Sequence, residues 1–258
     1  MRRPATPDET SPPPPSEPEG ADIPKLRGAE IAAVYYGQRQ AGDFYDFIRV
    51  HPQRVLFGLL DVAGGLEEAR TILCRAQQTF RSLGTSLFGS DDVNESDAMI
   101  ELCLQMNRTV LDAAQGVHAC PAFAGCYNEN LGIICYFNAG HTAGLVRDAS
   151  SMSELTATGL PLGLFSHVTC DAPMVALPPD SALLLASRGV VEGKRRGDEF
   201  GFDRLKEAFR VSRAKGAKEI CMSVLDGVRQ FMGTAPTHND VTTMVLARAG
   251  DGATSKGA

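Results

Sequence analysis

Three aspartates are spaced for metal chemistry. Asp43 and Asp46 stand three apart around Phe44 and Tyr45, and Asp61 closes the apolar run Arg54 to Leu60. A carboxylate at a strand end can be aimed into a cleft by a bend in the backbone. Hard oxygen ligands of this kind suit Mg²⁺ or Mn²⁺, not zinc. One carboxylate can bridge two such ions, which then activate a water for attack on phosphorus. The plainer reading of each acid alone is a turn or strand-end residue facing solvent. Other chemistries have less support. The five histidines are scattered without ligand spacing, and His141 reads as a turn residue bonded to backbone, not as a general acid. No G-x-S-x-G elbow, P-loop or dinucleotide glycine pattern occurs.

Composition narrows the classes further. The 258 residues suffice for one large domain or two small ones. Hydrophobic content of 43% and charged content of 22% are ordinary for a globular protein. A formal charge of −6 gives nucleic acid no electrostatic footprint. No apolar run is long enough to span a bilayer, and Met1-Arg2-Arg3 leads into prolines and acids, not into the apolar core of a secretory signal. The seven cysteines, an odd number without a C-x-x-C pair, fit no disulfide framework. Most lie in apolar stretches, where free cysteine acts as a small hydrophobe. A cytoplasmic protein without a membrane or nucleic-acid partner is expected; a zinc site is the distant second reading of the cysteines.

Residues 1–24, with Pro4, Pro7 and the run Pro12 to Pro15 among Ser, Glu and Asp, read as a disordered or polyproline-like leader. Residues 249–258 read as a flexible tail, and 25–248 as one domain. Within it, Arg54 to Leu60 is expected as a buried strand. Helices are expected over Glu67 to Leu87 and Ser96 to Gln115. The second has Met99, Cys103, Met106 and Val110 on one face and Ser96 as N-cap. Ala122 to Tyr127, Gly132 to Asn138 and Thr142 to Arg147, split by Asn128-Glu129-Asn130 and Gly140-His141, are expected as an antiparallel meander. A strand over Ala182 to Ala186, helices over Asp203 to Val211 and Ala217 to Phe231, and a strand over Val241 to Leu246 complete the reading. Helices flanking clusters of strands point to an α+β fold with two face-to-face sheets and helices outside.

Several short segments together resemble the PPM-type, metal-dependent serine/threonine phosphatases of the bacterial SpoIIE/RsbU branch. Gly28-Ala29-Glu30-Ile31-Ala32 resembles the family's opening strand. Ala41-Gly42-Asp43-Phe44-Tyr45-Asp46 resembles its G-G-D-F-Y-D motif, and Leu60-Asp61-Val62-Ala63-Gly64 its D-V-S-G-H-G motif, with Gly65 and Leu66 in place of the last two residues. Asn138-Ala139-Gly140-His141 resembles N-A-G-H, and Gly159 to Gly163 resembles G-x-P-L-G. Ser187-Arg188-Gly189-Val190 stands where T-D-G-V is usual, followed by Glu192 and Phe200-Gly201. Asn239-Asp240-Val241-Thr242 stands where D-D-x-T is usual.

The resemblance implies a four-layer αββα sandwich with a binuclear Mn²⁺/Mg²⁺ centre. It implies that Asp43, Asp61 and the Val62 carbonyl hold one metal, Asp61 bridging to a second. The second metal's two acids fall at Arg188 and Asn239. An arginine stays protonated at physiological pH, and Asn239 offers only an uncharged amide oxygen. At most one tightly bound ion, or none, is therefore expected. Asp240 and Asp198 are the rescue ligands, with Glu199 beside the latter. Arg188 either pairs with Asp61 in place of an ion or binds phosphate. Lys194, Arg195 and Arg196 form a solvated loop or a contact for an acidic or phosphorylated partner. Two functions follow: a phosphoserine/phosphothreonine protein phosphatase of low or lost activity, or a pseudophosphatase that binds a regulatory protein. By analogy the partner is a phosphoprotein such as an anti-sigma-factor antagonist.

Overall fold

The computed structural model describes residues 18–36, 42–62, 66–114, 118–234 and 240–250. The strands are β1 (Ala29–Tyr36), β2 (Gly42–His51), β3 (Arg54–Val62), β4 (Ala122–Asn128), β5 (Ile133–Ala139), β6 (Gly144–Arg147), β7 (Met152–Leu155), β8 (Met174–Ala176), β9 (Ala182–Ala186), β10 (Lys194–Arg195), β11 (Asp198–Glu199) and β12 (Val241–Arg248). The helices are α1 (Leu66–Phe88), α2 (Glu95–Ala114), the single turn α3 (Arg188–Val191), α4 (Gly201–Val211) and α5 (Ala217–Met232).

Alternation along each strand sorts residues between layers, because successive side chains point to opposite faces. On β2, Phe44 and Ile48 face α1 and α2, whereas Tyr45 and Phe47 face the other sheet. On β12, Val241, Val245 and Ala247 pack toward α5, whereas Met244 and Leu246 turn inward. Two antiparallel sheets result, ordered β2-β3-β4-β5-β8 and β1-β12-β9-β6-β7. Between them lies a core that includes Phe57, Leu59, Phe123, Tyr136, Leu183, Leu185 and Met244. Helices α1 and α2 cover the first sheet with Ile72, Ala76, Phe80, Met99, Leu102 and Met106, and α5 covers the second with Ile220, Val224, Leu225 and Val228. This is the αββα sandwich.

Two expectations are corrected. The meander breaks after its second strand: β4 and β5 pair, but β6 joins the other sheet, between β7 and β9. Asn138 forms the corner. Its Oδ1 accepts the His141 N–H at 2.8 Å and its Nδ2 donates to the Leu155 carbonyl of β7 at 3.1 Å. Gly140 turns the chain at φ 68°, where a Cβ would stand 2.6 Å from Pro161. Second, Ser96 is not the cap of α2. Asn94 Oδ1 accepts the N–H groups of Ser96 and Asp97, at 3.1 and 3.3 Å, while the Ser96 hydroxyl donates to the Ala172 carbonyl at 2.8 Å. The described residues just before β1 are bonded to α1. Glu19 N–H donates to Gln77 Oε1 at 2.8 Å, and Gln77 Nε2 returns a bond to the Glu19 carbonyl at 2.9 Å. The proline run and the tail from residue 251 lie outside the described residues.

Candidate functional site

Strand register brings the acids together. Asp43 and Asp61 are direct partners across β2 and β3. Both occupy odd positions, which on these strands face the opposite sheet. From that sheet, Thr242 Oγ1 donates to Asp43 Oδ2 at 2.8 Å. Ser187, just after β9, donates its N–H to the Thr242 carbonyl at 2.9 Å. Its hydroxyl accepts the Thr242 N–H at 3.0 Å and donates to the Asp240 carbonyl at 3.2 Å. The site is thus the polar end of the seam between the sheets.

Asp46 does not join it. Three residues along a strand is an odd step, so its carboxylate faces α1 instead. There it accepts Arg81 Nε at 2.7 Å, Arg81 Nη2 at 3.0 Å and Gln77 Nε2 at 3.2 Å. Arg81 also pairs with Glu19. Asp46 is a packing anchor for α1 and the segment before β1. The Val62 carbonyl lies against Gly42, its register partner; a Cβ at Gly42 would come within 2.4 Å of that oxygen.

Arg188 opens α3 and reaches back to the acids. Its Nε lies 3.4 Å from Asp61 Oδ2 and 3.8 Å from Glu192 Oε2. Arg188 is 45% exposed and Asp61 only 7%, so a buried carboxylate meets a cation at the mouth of the seam. Burial pushes the Asp43 carboxyl up to about 7; the neighbouring Asp61 and Asp240 charges add to this, and the nearby hydroxyls of Ser187 and Thr242 oppose it. Burial likewise raises Asp61, opposed by the Arg188 charge and reinforced by Glu192 and Asp240. Asp240 therefore stands close enough to act electrostatically on both acids. Its Oδ1 accepts the Tyr35 hydroxyl at 2.8 Å.

The remaining expected residues sit elsewhere. Asn239 lies outside the described residues. Asp198 is exposed and bound to Arg204 Nη2 at 2.8 Å, on the two-stranded hairpin of β10 and β11. That hairpin turns through Arg196 and Gly197 at φ 53° and 88°, the positive pair of a tight hairpin turn. Lys194 crosses it to Glu199 Oε1 at 3.2 Å, and Arg195 and Arg196 are exposed. His141 is buried in its turn, with Nδ1 3.1 Å from the Thr142 carbonyl. Among the described residues, no group of three or more His, Cys, Asp or Glu side chains is arranged to hold a metal ion. Sequence reasoning missed Tyr35, Ser187 and Thr242 as site residues. The last two lay inside quoted motifs, and Tyr35 is the register partner of Thr242 on β1.

The comparisons agree with this architecture. The profile of the family Stage II sporulation protein E (SpoIIE) matches residues 51–249. The SiaA-PP2C domain of Pseudomonas aeruginosa superposes with a TM-score of 0.69 at 18% identity, covering 84% of this chain and 85% of that one. The RsbU and RsbW domains of Rv1364c from Mycobacterium tuberculosis superpose with a TM-score of 0.69 at 20% identity, over 91% of this chain but 63% of that longer one. RsbX in complex with magnesium gives a TM-score of 0.61 at 10% identity, over 88% and 98%. No curated protein matches the sequence.

Proposed function

The chain belongs to the SpoIIE family, and from that premise we propose that this phosphatase-like domain carries an incomplete metal centre and has lost most or all hydrolytic activity toward phosphoserine and phosphothreonine proteins. The observation that carries this reading is the Arg188–Asp61 pair at 3.4 Å. The resemblance assigns position 188 to an acid of the second metal. A guanidinium beside the bridging carboxylate opposes a dication twice, by occupying an oxygen and by like-charge repulsion. The donor set does not fit two ions, so no hydrolytic step is derived through them. At most one Mn²⁺ or Mg²⁺ is held, through Asp43, Asp61 and the Val62 carbonyl. Losing electrostatic elements from a catalytic centre costs orders of magnitude in rate.

The working role is then recognition. Arg188, Lys194, Arg195 and Arg196 lie on consecutive elements after β9 and offer cations to an acidic or phosphorylated surface. The partner we assign is a regulatory phosphoprotein of the anti-sigma-factor-antagonist type. A structural neighbour that carries an RsbU domain and an RsbW domain in one chain supports that assignment. Among the described residues no helix is long and apolar enough to cross a membrane, and the cysteines are free and buried; we place the protein in the cytoplasm. A second reading, a working hydrolase, needs Asp240 as rescue ligand, and draws on the charge that Asp240 exerts on both acids.

Calorimetric titration with Mn²⁺ beside a phosphopeptide assay separates the two. The expected result is weak or no Mn²⁺ binding and no turnover. Arg188→Asp with Asn239→Asp is expected to create tight Mn²⁺ binding. Mn²⁺-dependent turnover by the wild type that vanishes in Asp61→Ala would overturn the proposal, and a double variant without gained affinity would refute the placement of positions 188 and 239.

A further inference from the structure

A cavity of about 1010 Å³ lies at the end of the second sheet away from the acids. There β6 and β12 end, β1 and β9 begin, and the 212–216 loop between α4 and α5 forms one wall. Thr242 at the seam and Arg248 at the cavity belong to the same strand, about 20 Å apart at the rise of an extended chain. The volume is at the upper end of the range for small-molecule sites. Four cations line it, Arg147, Arg213, Lys215 and Arg248, against two acids, Glu30 and Asp180, in a chain whose net charge is −6. Among the described residues none of the four cations is ion-paired. Of the acids, Glu30 is partly engaged, its Oε2 accepting the Ala217 N–H of α5 at 3.2 Å. Arg147 is held in place from behind. Its Nη1 donates to the Phe209 carbonyl and, at 2.8 Å, to the Ser212 carbonyl, and its guanidinium stands 4.5 Å from the centre of the Phe209 ring. Its Nε and Nη2 groups have no hydrogen-bond partner among the described residues. Asp148, next in the chain, does not neutralise it. The Asp148 oxygens accept the N–H groups of Ser150 and Ser151, both at 2.7 Å, and their hydroxyls, both at 2.9 Å. Burial disfavours the Arg147 charge, and no neighbouring acid offsets this.

We propose that this cavity binds a small organic polyphosphate, a molecule of nucleotide size with two or more phosphoryl groups, anchored on Arg147. A guanidinium already fixed by two carbonyls and a ring loses little freedom when it takes a phosphate, and its two unused donor groups suit phosphoryl oxygens. Arg213 and Lys215, both exposed on the loop, supply cations for a second phosphoryl group. A single inorganic phosphate would leave most of the volume empty and most of the charge unmatched. The remaining walls include small residues such as Ala29, Ala182 and Ala247, and among the described residues no aromatic ring lines the cavity. The organic part is therefore accommodated without a stacking platform, so the phosphoryl groups carry the recognition. The same lack of rings, with the negative charge of the chain, disfavours single-stranded nucleic acid as the occupant. The site is separate from the acidic seam and does not depend on whether metal binds there: none of its residues is Asp43, Asp61 or Arg188.

The test is calorimetric titration of the full chain, in metal-free buffer, with inorganic tripolyphosphate and with ADP, beside inorganic phosphate as comparator. The expected result is saturable binding of tripolyphosphate and of ADP at one site, each tighter than phosphate. Arg147→Ala is expected to weaken both by about tenfold or more, the loss of hydrogen bonds to a charged group. Arg147 also ties down the end of α4, so a second variant keeps the test decisive: Arg213→Glu with Lys215→Glu reverses two exposed loop charges without touching the core, and is expected to abolish binding. No saturable binding of either probe, equal affinity for phosphate and tripolyphosphate, or affinity unchanged in the loop variant would overturn the proposal. Binding that is lost in Arg188→Ala but kept in the loop variant would also overturn it, and would place the anion at the mouth of the acidic seam instead.

Discussion

Asp43 and Asp46 belong to one five-residue segment, yet they do different work because a strand alternates its faces. Asp43 enters the seam between the sheets; Asp46 anchors Arg81 of α1 through a two-pronged pair and is itself 2% exposed. Breaking a buried pair from one side leaves the other charge unpaired, and because Arg81 retains 26% exposure, Asp46→Ala is expected to cost about 2 kcal/mol, below the usual range for fully buried pairs. Urea unfolding measures it, with no loss of Mn²⁺ affinity expected beside it. His141 offers a pH signature. Burial lowers it from 6.5 to about 4, so its neutral form is favoured in the folded state. The depressed value means its contribution is full above pH 6.5 and is lost as pH falls toward 4, amounting to about 3 kcal/mol at the low end. Comparing urea unfolding of the wild type and His141→Gln across that window should show a shallower decline in the variant. That Asp43 and Asp61 share a site was legible in the sequence. That Asp46 does not was legible in principle, from the parity of its position once β2 is recognised as a strand.

At the scale of elements, apolar periodicity located the strongly patterned pieces well. The strand Ala182 to Ala186 matches β9; of the two long helices expected after β3, α1 runs one residue further at each end and α2 lies one residue earlier. What periodicity could not supply was capping. Ser and Asn are both good N-caps, and only the hydrogen bonds of Asn94 to the second and third helical residues settle which one serves. Asn94→Ala is expected to destabilise by about 1 kcal/mol, read as a lower urea midpoint with an unchanged m-value. Short edge strands such as β7 and β8, of four and three residues, carry too little pattern to stand out. The departure of β6 was equally hidden. Alternation says that a segment is a strand, not which sheet it joins, and here the Asn138 corner decides. The basic run Lys194 to Arg196 was legible as a loop, but the paired hairpin depended on Arg196 adopting a positive φ, which is uncommon for a non-glycine residue.

At the scale of the whole molecule, the second sheet depends on the far end of the chain. β12 lies between β1 and β9, pairing with Ala29 to Tyr36 on one side and Ala182 to Ala186 on the other. It also supplies inward residues Met244 and Leu246 to the inter-sheet core and outward residues Val241, Val245 and Ala247 to the layer under α5. Until it docks, β1 has no hydrogen-bonding neighbour and β9 has only β6, the inner core is open on one side, and Thr242 cannot close the seam onto Asp43. Such long-range pairing is a slow step, because loop closure must precede any reward from the contact. The molecule is therefore expected to fold as one cooperative unit, not as two independent α/β layers. A chain ending at Thr234, which keeps α5 but lacks β12, should show no cooperative urea transition and should bind a hydrophobic dye. A truncated chain that still unfolds sharply, with the first sheet and its helices intact, would show instead that each half of the sandwich is stable alone, and the central position of β12 would then matter to the site without governing the fold.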